Sequence, residues 1–359
     1  MLAFLASVWA LAVYPHQLAG PGIESPDEPR AQGTRLPPVT PPPVSRWARS
    51  LPTVTTVLQL VADHYPVDPT SASLVRTFTN DVFRIDTTGR SYALKIYGVG
   101  RFSLDEIRWE QQLTHELAGA GVPVAVDVAL RSGDSVGALD APEGERAFAL
   151  TEWVPGDKPQ PPWSDSLYRT VGASLGRLHA ASDAFVSRYQ RRPVRGGEEP
   201  EQVIAVLDGD RGRQQLVRQS VTAARSALER LGDQGLRWGI RHGDPSLDNL
   251  HVTQGGDVYF YDFDLAGPGW QVEDLAGALS TDFADVFLDG YRSVRPLAEA
   301  DLEALPWLRI LAHVDNLKFH LIDKPAAMGS STLTEGWVDR GFEGLLDAAR
   351  DAGLPFESR

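Results

Sequence analysis

The hydrophobic periodicity of the chain changes once, near Gly156, and that change limits what it can fold into. Before it, short apolar runs recur at 73–79, 82–87, 91–97, 124–130 and 147–151, several bounded by turn residues such as Thr88-Gly89-Arg90. Runs of that length and composition are half-buried strands. Two helical stretches interrupt them. One covers 54–64 and ends at Pro66; the other covers 104–117, is marked by Ile107, Leu113 and Leu117, and is stopped by Gly119 to Pro123. After Gly156 the spacing turns helical: Leu167, Val171, Leu175 and Leu178 recur every three to four residues, and 211–231 is a second such stretch. A small hairpin, 252–253 with 258–261, turns at Gln254-Gly255-Gly256, and helices run on to the end. The expectation is an α+β chain of two lobes: a small antiparallel-sheet N-lobe over 51–152 and a larger helical C-lobe over 153–359. A length of 359 residues suits two lobes rather than one small core.

The first fifty residues stand apart. Met1 to Tyr14 is apolar and uncharged, too short to span a bilayer as a helix, and without the positive charge that opens a secretion signal. Nine of the thirty-two residues from Pro21 to Pro52 are proline, which blocks helix and ladder bonding. Residues 1–50 are therefore read as a disordered extension, with no stable membrane insertion and a cytoplasmic location expected. The chain has no cysteine, which excludes disulfide scaffolds, thiolate nucleophiles and cysteine-ligated metals. Its net charge of −14, from 34 basic and 48 acidic residues, argues against nucleic acid as a partner. The acid is uneven: His242 to Glu303 holds 13 acids and only Arg292 and Arg295 as bases.

That acidic stretch also carries the chemistry. It opens on His242-Gly243-Asp244-Pro245-Ser246-Leu247-Asp248-Asn249 and, after the hairpin, continues as Tyr261-Asp262-Phe263-Asp264. Phosphoryl transfer needs a carboxylate beside the attacking hydroxyl, oxygen ligands for a divalent cation on the phosphates, and fixed geometry between them. An Asp and an Asn five positions apart, closed by a hairpin that ends in another Asp, supply that set. Upstream, Lys95 sits among apolar residues in Tyr92-Ala93-Leu94-Lys95-Ile96-Tyr97, and Glu106 and Glu110 lie in the helix that follows.

The pair of motifs resembles the protein-kinase-like superfamily and, more narrowly, the aminoglycoside phosphotransferase and choline kinase family. The later stretches 290–297 and 309–320 are similar to a branch containing homoserine-kinase-like and bacterial stress-response kinases. The resemblance covers roughly 74–326. It implies a protein-kinase-like fold, ATP and Mg²⁺ as cofactors, Asp244 as catalytic carboxylate, and Asn249 and Asp262 as magnesium ligands. It gives Lys95 the α- and β-phosphates and Glu110 as partner, with Glu106 as the fallback. Asp264 would bind water near the metal or cap the next turn. His242 would hold the loop from behind, Asp274 would brace it, and His179 would be a packing histidine.

The turn that would cradle phosphates, Phe78-Thr79-Asn80-Asp81, has no glycine. Thr79 and Asn80 are its phosphate-contact candidates, a plain Asx turn being the alternative. Leu150 to Gly156 resembles the family's hinge, where the Thr151 carbonyl and the Trp153 N–H are the expected adenine contacts. The acceptor is expected to be a small-molecule hydroxyl. The acids Asp248, Glu273, Asp282, Asp285 and Asp289 point to an amine-bearing one, and a solvated helix face is the competing explanation for them. A Ser/Thr protein kinase and an inactive nucleotide-binding protein are the alternatives. The short distance from Asp262 to Asp274 leaves no room for a long activation segment.

Overall fold

Side-chain parity along three strands decides which face of the N-terminal sheet meets the cleft. The computed structural model describes residues 49–77, 79–193 and 199–356. The apolar stretch and most of the proline-rich one lie outside these residues. Helix α1 (Val54–His64) precedes strands β1 (Ser71–Thr77), β2 (Asp81–Asp86) and β3 (Ser91–Ile96); helix α2 (Leu104–Gly119) and strands β4 (Gly137–Ala141) and β5 (Gly144–Glu152) follow. The five strands form one antiparallel sheet in the order β1-β2-β3-β5-β4. Phe83 and Ile85 of β2, Leu94 and Ile96 of β3, and Phe148 and Leu150 of β5 all point to one face, where Val57, Val61 and Tyr65 cover them. Because strand side chains alternate, Ala93, Lys95, Ala149 and Thr151 must point to the other face, and all four line the interlobe cleft.

Helix α2 packs on that second face. Ser103 caps its N-terminus in a reciprocal box with Glu106, which satisfies two otherwise orphaned N–H groups. Arg146, 2% exposed, ties the sheet to the chain before α1 through Ser50 O (2.8 Å), Asp81 Oδ2 (2.8 Å) and Tyr97 O (2.9 Å).

The C-lobe contains helices α3 (Asp165–Ser182), α4 (Pro200–Val206), α5 (Arg211–Asp233), α6 (Ala284–Arg292), α7 (Glu299–Lys318), α8 (Lys324–Met328) and α9 (Trp337–Asp351). One apolar core joins them, including Leu175, Val217, Phe287, Leu311 and Leu345. Helices α3 and α6 lie backbone to backbone: a Cβ on Gly290 would stand 2.0 Å from Arg169 O. Three-residue strands β7 (Leu250–Val252) and β8 (Val258–Phe260) form the expected hairpin, and β6 (Trp238–Arg241) pairs with β9 (Gly267–Trp270). Among the described residues no helix is long and apolar enough to cross a membrane.

Two local expectations fail. Residues 124–130 are not a strand. They run between the lobes as isolated bridges, with Ala125 N on Phe260 O (3.1 Å) on one side and, on the other, Val128 N on Leu150 O (2.8 Å) and Glu152 N on Val126 O (2.8 Å). The fifth sheet strand is β4 instead, whose Gly-Ala-Leu-Asp-Ala sequence lacks β-branched residues.

Candidate active site

The β6–β9 pair clamps the base of the site. Register sets Arg241 opposite Gly267, so the loops leaving β6 and entering β9 start side by side. At Gly243 the backbone has φ +89°, and a Cβ there would meet Leu265 O at 2.3 Å. Only glycine fits both the left-handed turn and that approach. Asp274 holds the same turn from below: its Oδ2 accepts from His242 N (2.6 Å) and its Oδ1 from Gly243 N (2.9 Å). His179 Nε2 lies 3.0 Å from Asp274 Oδ2 and its Nδ1 lies 2.8 Å from Tyr291 OH.

The His242 ring is fully buried against Phe263. Asp244 N donates to its Nδ1 (3.3 Å), so Nε2 carries the proton and donates to Tyr261 O (3.2 Å). Burial keeps the ring neutral by lowering its pKa. The imidazole thus bridges the two loops that carry Asp244 and Asp262.

Asn249, in a 3₁₀ turn, donates through Nδ2 to Asp244 Oδ2 (2.7 Å) and Asp244 O (3.1 Å). That orientation leaves the Asn249 carbonyl oxygen available as a ligand. Burial, then the negative charge of Asp262, push the Asp244 carboxyl up to about 7. Asp262 has φ 64° and ψ 59°, the one described non-glycine residue at positive φ. Asp tolerates that region better than most residues, and a strained backbone held there by its surroundings marks a functional position.

Lys95 Nζ bonds Asp262 Oδ1 (2.6 Å) and Glu110 Oε1 (3.4 Å), and Tyr97 OH donates to Glu110 Oε2 (3.0 Å). Burial would lower the Lys95 pKa, but the charges of Asp262 and Glu110 more than offset it and keep the amine protonated. Burial likewise works to raise Asp262, and the Lys95 charge and hydrogen bond hold it below the usual carboxylate range. Of the two helix glutamates, Glu110 is the one beside Lys95. Glu106 caps α2 and pairs with Arg192 Nε (2.7 Å).

Two cavities meet at these loops. The larger, about 420 Å³, runs from Lys95, Asn249 and Asp262 to Glu152, Trp153 and Val154. The smaller, about 140 Å³, is lined by Asp244, Arg241, Glu273, Asp315 and Tyr168 among others.

Some candidates are placed elsewhere. The Trp153 N–H donates to Ser91 O (3.0 Å), because alternate residues of β5 and its extension turn their backbone groups toward β3. Thr151, two residues earlier and paired with Ala93, faces β3 in the same way. On the opposite edge Glu152 N bonds Val126 O (2.8 Å), and the next N–H there, that of Val154, has no partner among the described residues. Asn80 is also not open to the cleft. Its Nδ2 donates to Asp264 Oδ2 (2.8 Å) and its Oδ1 accepts from Gly98 N (3.3 Å), so it ties the lobes together. Phe78 lies outside the described residues. Sequence reasoning missed Arg76 and Arg101, which approach Asp262 Oδ2 (3.9 Å) and Asp264 Oδ2 (3.4 Å). It also missed Arg191, which caps the carbonyls of Asp264 and Ala266.

Residues 73–326 match the model of the APH phosphotransferase enzyme family. An uncharacterized protein of Deinococcus radiodurans is 33% identical over 85% of this chain and 94% of its own length. A homoserine kinase of Xanthobacter autotrophicus is 28% identical over 77% of this chain and 88% of its own. Among solved structures, the amicoumacin kinase hAmiN, in complex with AMP-PNP, Ca²⁺ and Ami, superposes with a TM-score of 0.66 at 23% identity; the match covers 84% of this chain and 95% of that one. The chain belongs to the APH phosphotransferase enzyme family and is a kinase built on the two-lobed protein-kinase-like fold.

Proposed function

We propose that the chain transfers the γ-phosphoryl group of ATP to the hydroxyl of a small, amine-bearing molecule. The observation that carries this reading is the division of the site. Asn249 and Asp262 line the large cavity with Lys95, Asp244 lines the small one, and one hydrogen bond of 2.7 Å joins the two sides.

ATP would occupy the large cavity. Its adenine would lie along Glu152 to Val154, meeting the Glu152 carbonyl and the Val154 N–H, since the Trp153 N–H is already bonded. Lys95, oriented by Glu110, would meet the phosphates. Hard oxygen donors on Asn249 and Asp262 suit Mg²⁺, which keeps waters and takes its remaining ligands from phosphate. The cation supplies charge neutralisation at the phosphates. Asp244 would orient the acceptor hydroxyl and accept its proton as the new O–P bond forms and the bond from Pγ to the ADP oxygen breaks. A small acceptor is favoured over a protein substrate because a 3₁₀ turn, β9 and a second 3₁₀ turn fill 263–275, leaving no extended segment to seat a peptide.

The experiment is ADP release by the purified chain with MgATP over amino alcohols, hydroxy amino acids and aminoglycosides. Asp244→Ala should lower kcat about 10²–10⁴-fold with MgATP affinity nearly unchanged. A folded Asp244→Ala protein with wild-type turnover would remove this reading.

A further inference from the structure

The small cavity beside Asp244 is assembled from separated pieces of chain, among them Tyr168 on α3, Arg241 at the end of β6, Glu273 on the 3₁₀ turn after β9, Phe287 on α6 and Asp315 on α7. One base enters its wall. The Arg241 side chain is 6% exposed, and its ion pair with Glu273 spans 3.6 Å from Nη1 to Oε2. That is too long for a hydrogen bond. The buried Arg241 Nε and Glu273 Oε2 have no hydrogen-bond partner.

Arginine–carboxylate pairs elsewhere in this molecule are of both kinds: Arg76 Nη1 and Asp262 Oδ2 stay 3.9 Å apart and Arg146 Nη1 and Glu143 Oε1 3.5 Å, while others close. Arg108 meets Asp134 through Nε and Nη2, at 2.8 Å for the shorter bond, and Arg295 grips Asp183 at 2.6 and 2.9 Å. A guanidinium and a carboxylate each lose several kcal/mol of hydration on burial, and an open pair leaves part of that cost unrecovered. The Arg241–Glu273 pair is one of the open ones, and it is open in the wall of the cavity beside Asp244, where the acceptor would lie. Its open groups call for a ligand that accepts from Arg241 and donates to Glu273.

We propose that Arg241 and Glu273 are the acceptor-recognition pair, and that the acceptor is a small hydroxylated zwitterion. Its carboxylate meets the Arg241 guanidinium, its ammonium meets Glu273, and its hydroxyl reaches Asp244. This rests on the reading of the chain as an ATP-dependent small-molecule kinase and narrows it. Size points the same way. A cavity of about 140 Å³ holds about five waters at ~30 Å³ each, enough for a straight-chain hydroxy amino acid and too little to enclose a multi-ring aminosugar.

The test compares three acceptors by ADP release with saturating MgATP: L-homoserine, 3-aminopropan-1-ol, which lacks the carboxylate, and 4-hydroxybutanoate, which lacks the amine. The wild-type chain should prefer homoserine over each of the others by at least tenfold in kcat/KM. Arg241→Met should abolish the preference over aminopropanol and keep that over hydroxybutanoate. Glu273→Gln should do the reverse, with KM for MgATP unchanged in both. Arg241→Lys, which keeps the charge without the planar fork, should fall in between. Melting curves and MgATP binding check that each variant is folded. Equal wild-type use of the three acceptors, or variants that slow all three alike, would overturn the assignment. So would no turnover of any of them by a chain that binds MgATP. A wild-type chain that fails to bind MgATP would instead refute the kinase reading, and this proposal with it.

Discussion

Asp274→Asn should weaken both the fold and the turnover, because the carboxylate serves three donors at once. Its Oδ2 accepts from His242 N (2.6 Å) and lies 3.0 Å from His179 Nε2, and its Oδ1 accepts from Gly243 N (2.9 Å). Burial would raise its pKa, but the hydrogen bond and charge of His179, with Arg241 and His242 behind, hold it below the usual carboxylate range. Asparagine offers one oxygen and an NH₂ group. With the oxygen toward His242 and His179, the NH₂ faces the Gly243 N–H, donor against donor. One bond is lost and its N–H is left buried without a partner, at about 1–3 kcal/mol, and the remaining bonds fall from charge-assisted to neutral, at about 1 kcal/mol each. The sum is about 3–5 kcal/mol, a fall in Tm of roughly 6–15 °C. The 242–244 turn also loses its anchor, and a displacement of about 1 Å at Asp244 costs roughly 100-fold in rate. Thermal melting and kcat on the best acceptor are the two assays. A variant within 2 °C of wild-type Tm (about 0.5–1 kcal/mol) and within about twofold of wild-type kcat (under 0.5 kcal/mol) would refute the bracing argument.

Acid should destabilise the C-lobe before it unfolds by carboxylate titration. Burial, and then Arg309, push His313 down to about 4, and burial with Lys324 does the same to His320. Each folded pKa lies below the unfolded value of about 6.5. The unfolded chain therefore binds more protons between those values, and stability is lost as pH falls through that window. At pH 5 the loss is at most about 2 kcal/mol per histidine. His313→Gln should flatten the dependence of urea midpoint on pH, and an unchanged slope would count against it. Gly290→Ala should destabilise by about 3 kcal/mol or more, since its methyl would lie 2.0 Å from backbone oxygen and force α3 from α6. Gly119→Ala is the control, because nothing lies within 4 Å of the new methyl; equal urea midpoints for the two variants would show that the helices yield freely.

Much of the fold was legible because the strands that bear function alternate cleanly. The buried set Leu94 and Ile96 fixes Lys95 on the opposite face by parity alone. The failures have one physical source: periodicity registers burial, not bonding partners. Residues 124–130 carry Val124, Ala125 and Leu130 into the interior, yet their backbone bonds reach two different sheets. Strand β9 is Gly-Pro-Gly-Trp, which reads as a turn. It forms a strand because only β6 pairs with it, and such an edge tolerates proline. The Trp153 N–H, expected to meet adenine, is bonded to Ser91 O for the same reason. Which edge of β5 the Trp153 N–H serves is set by the register with β3, and no property of the residue itself records it.

The two halves of the candidate site differ in legibility for a geometric reason. Asp244, Asn249 and Asp262 are held by one loop, one 3₁₀ turn and one hairpin, so their spacing along the chain fixes their spacing in space. The small cavity draws residues from α3, the loop after β6, the turns after β9, α6 and α7, and no spacing encodes it. The acidic excess after His242 is a blunt signal. Asp248 and Asp289, with side chains 55% and 60% exposed, pair with Lys158 and Arg169 at the surface. Arg295 is closed onto Asp183, and neither Arg292 nor Arg295 lines the small cavity. Of the acids singled out by charge, Glu273 alone lines the small cavity, and its partner Arg241 stands one residue before the acidic stretch begins. A net charge summed along the chain weights a solvated carboxylate and a desolvated one equally, whereas binding responds to the desolvated one. On the proposed assignment the unclosed Arg241–Glu273 pair would therefore constrain the acceptor more tightly than the other acids of that stretch together.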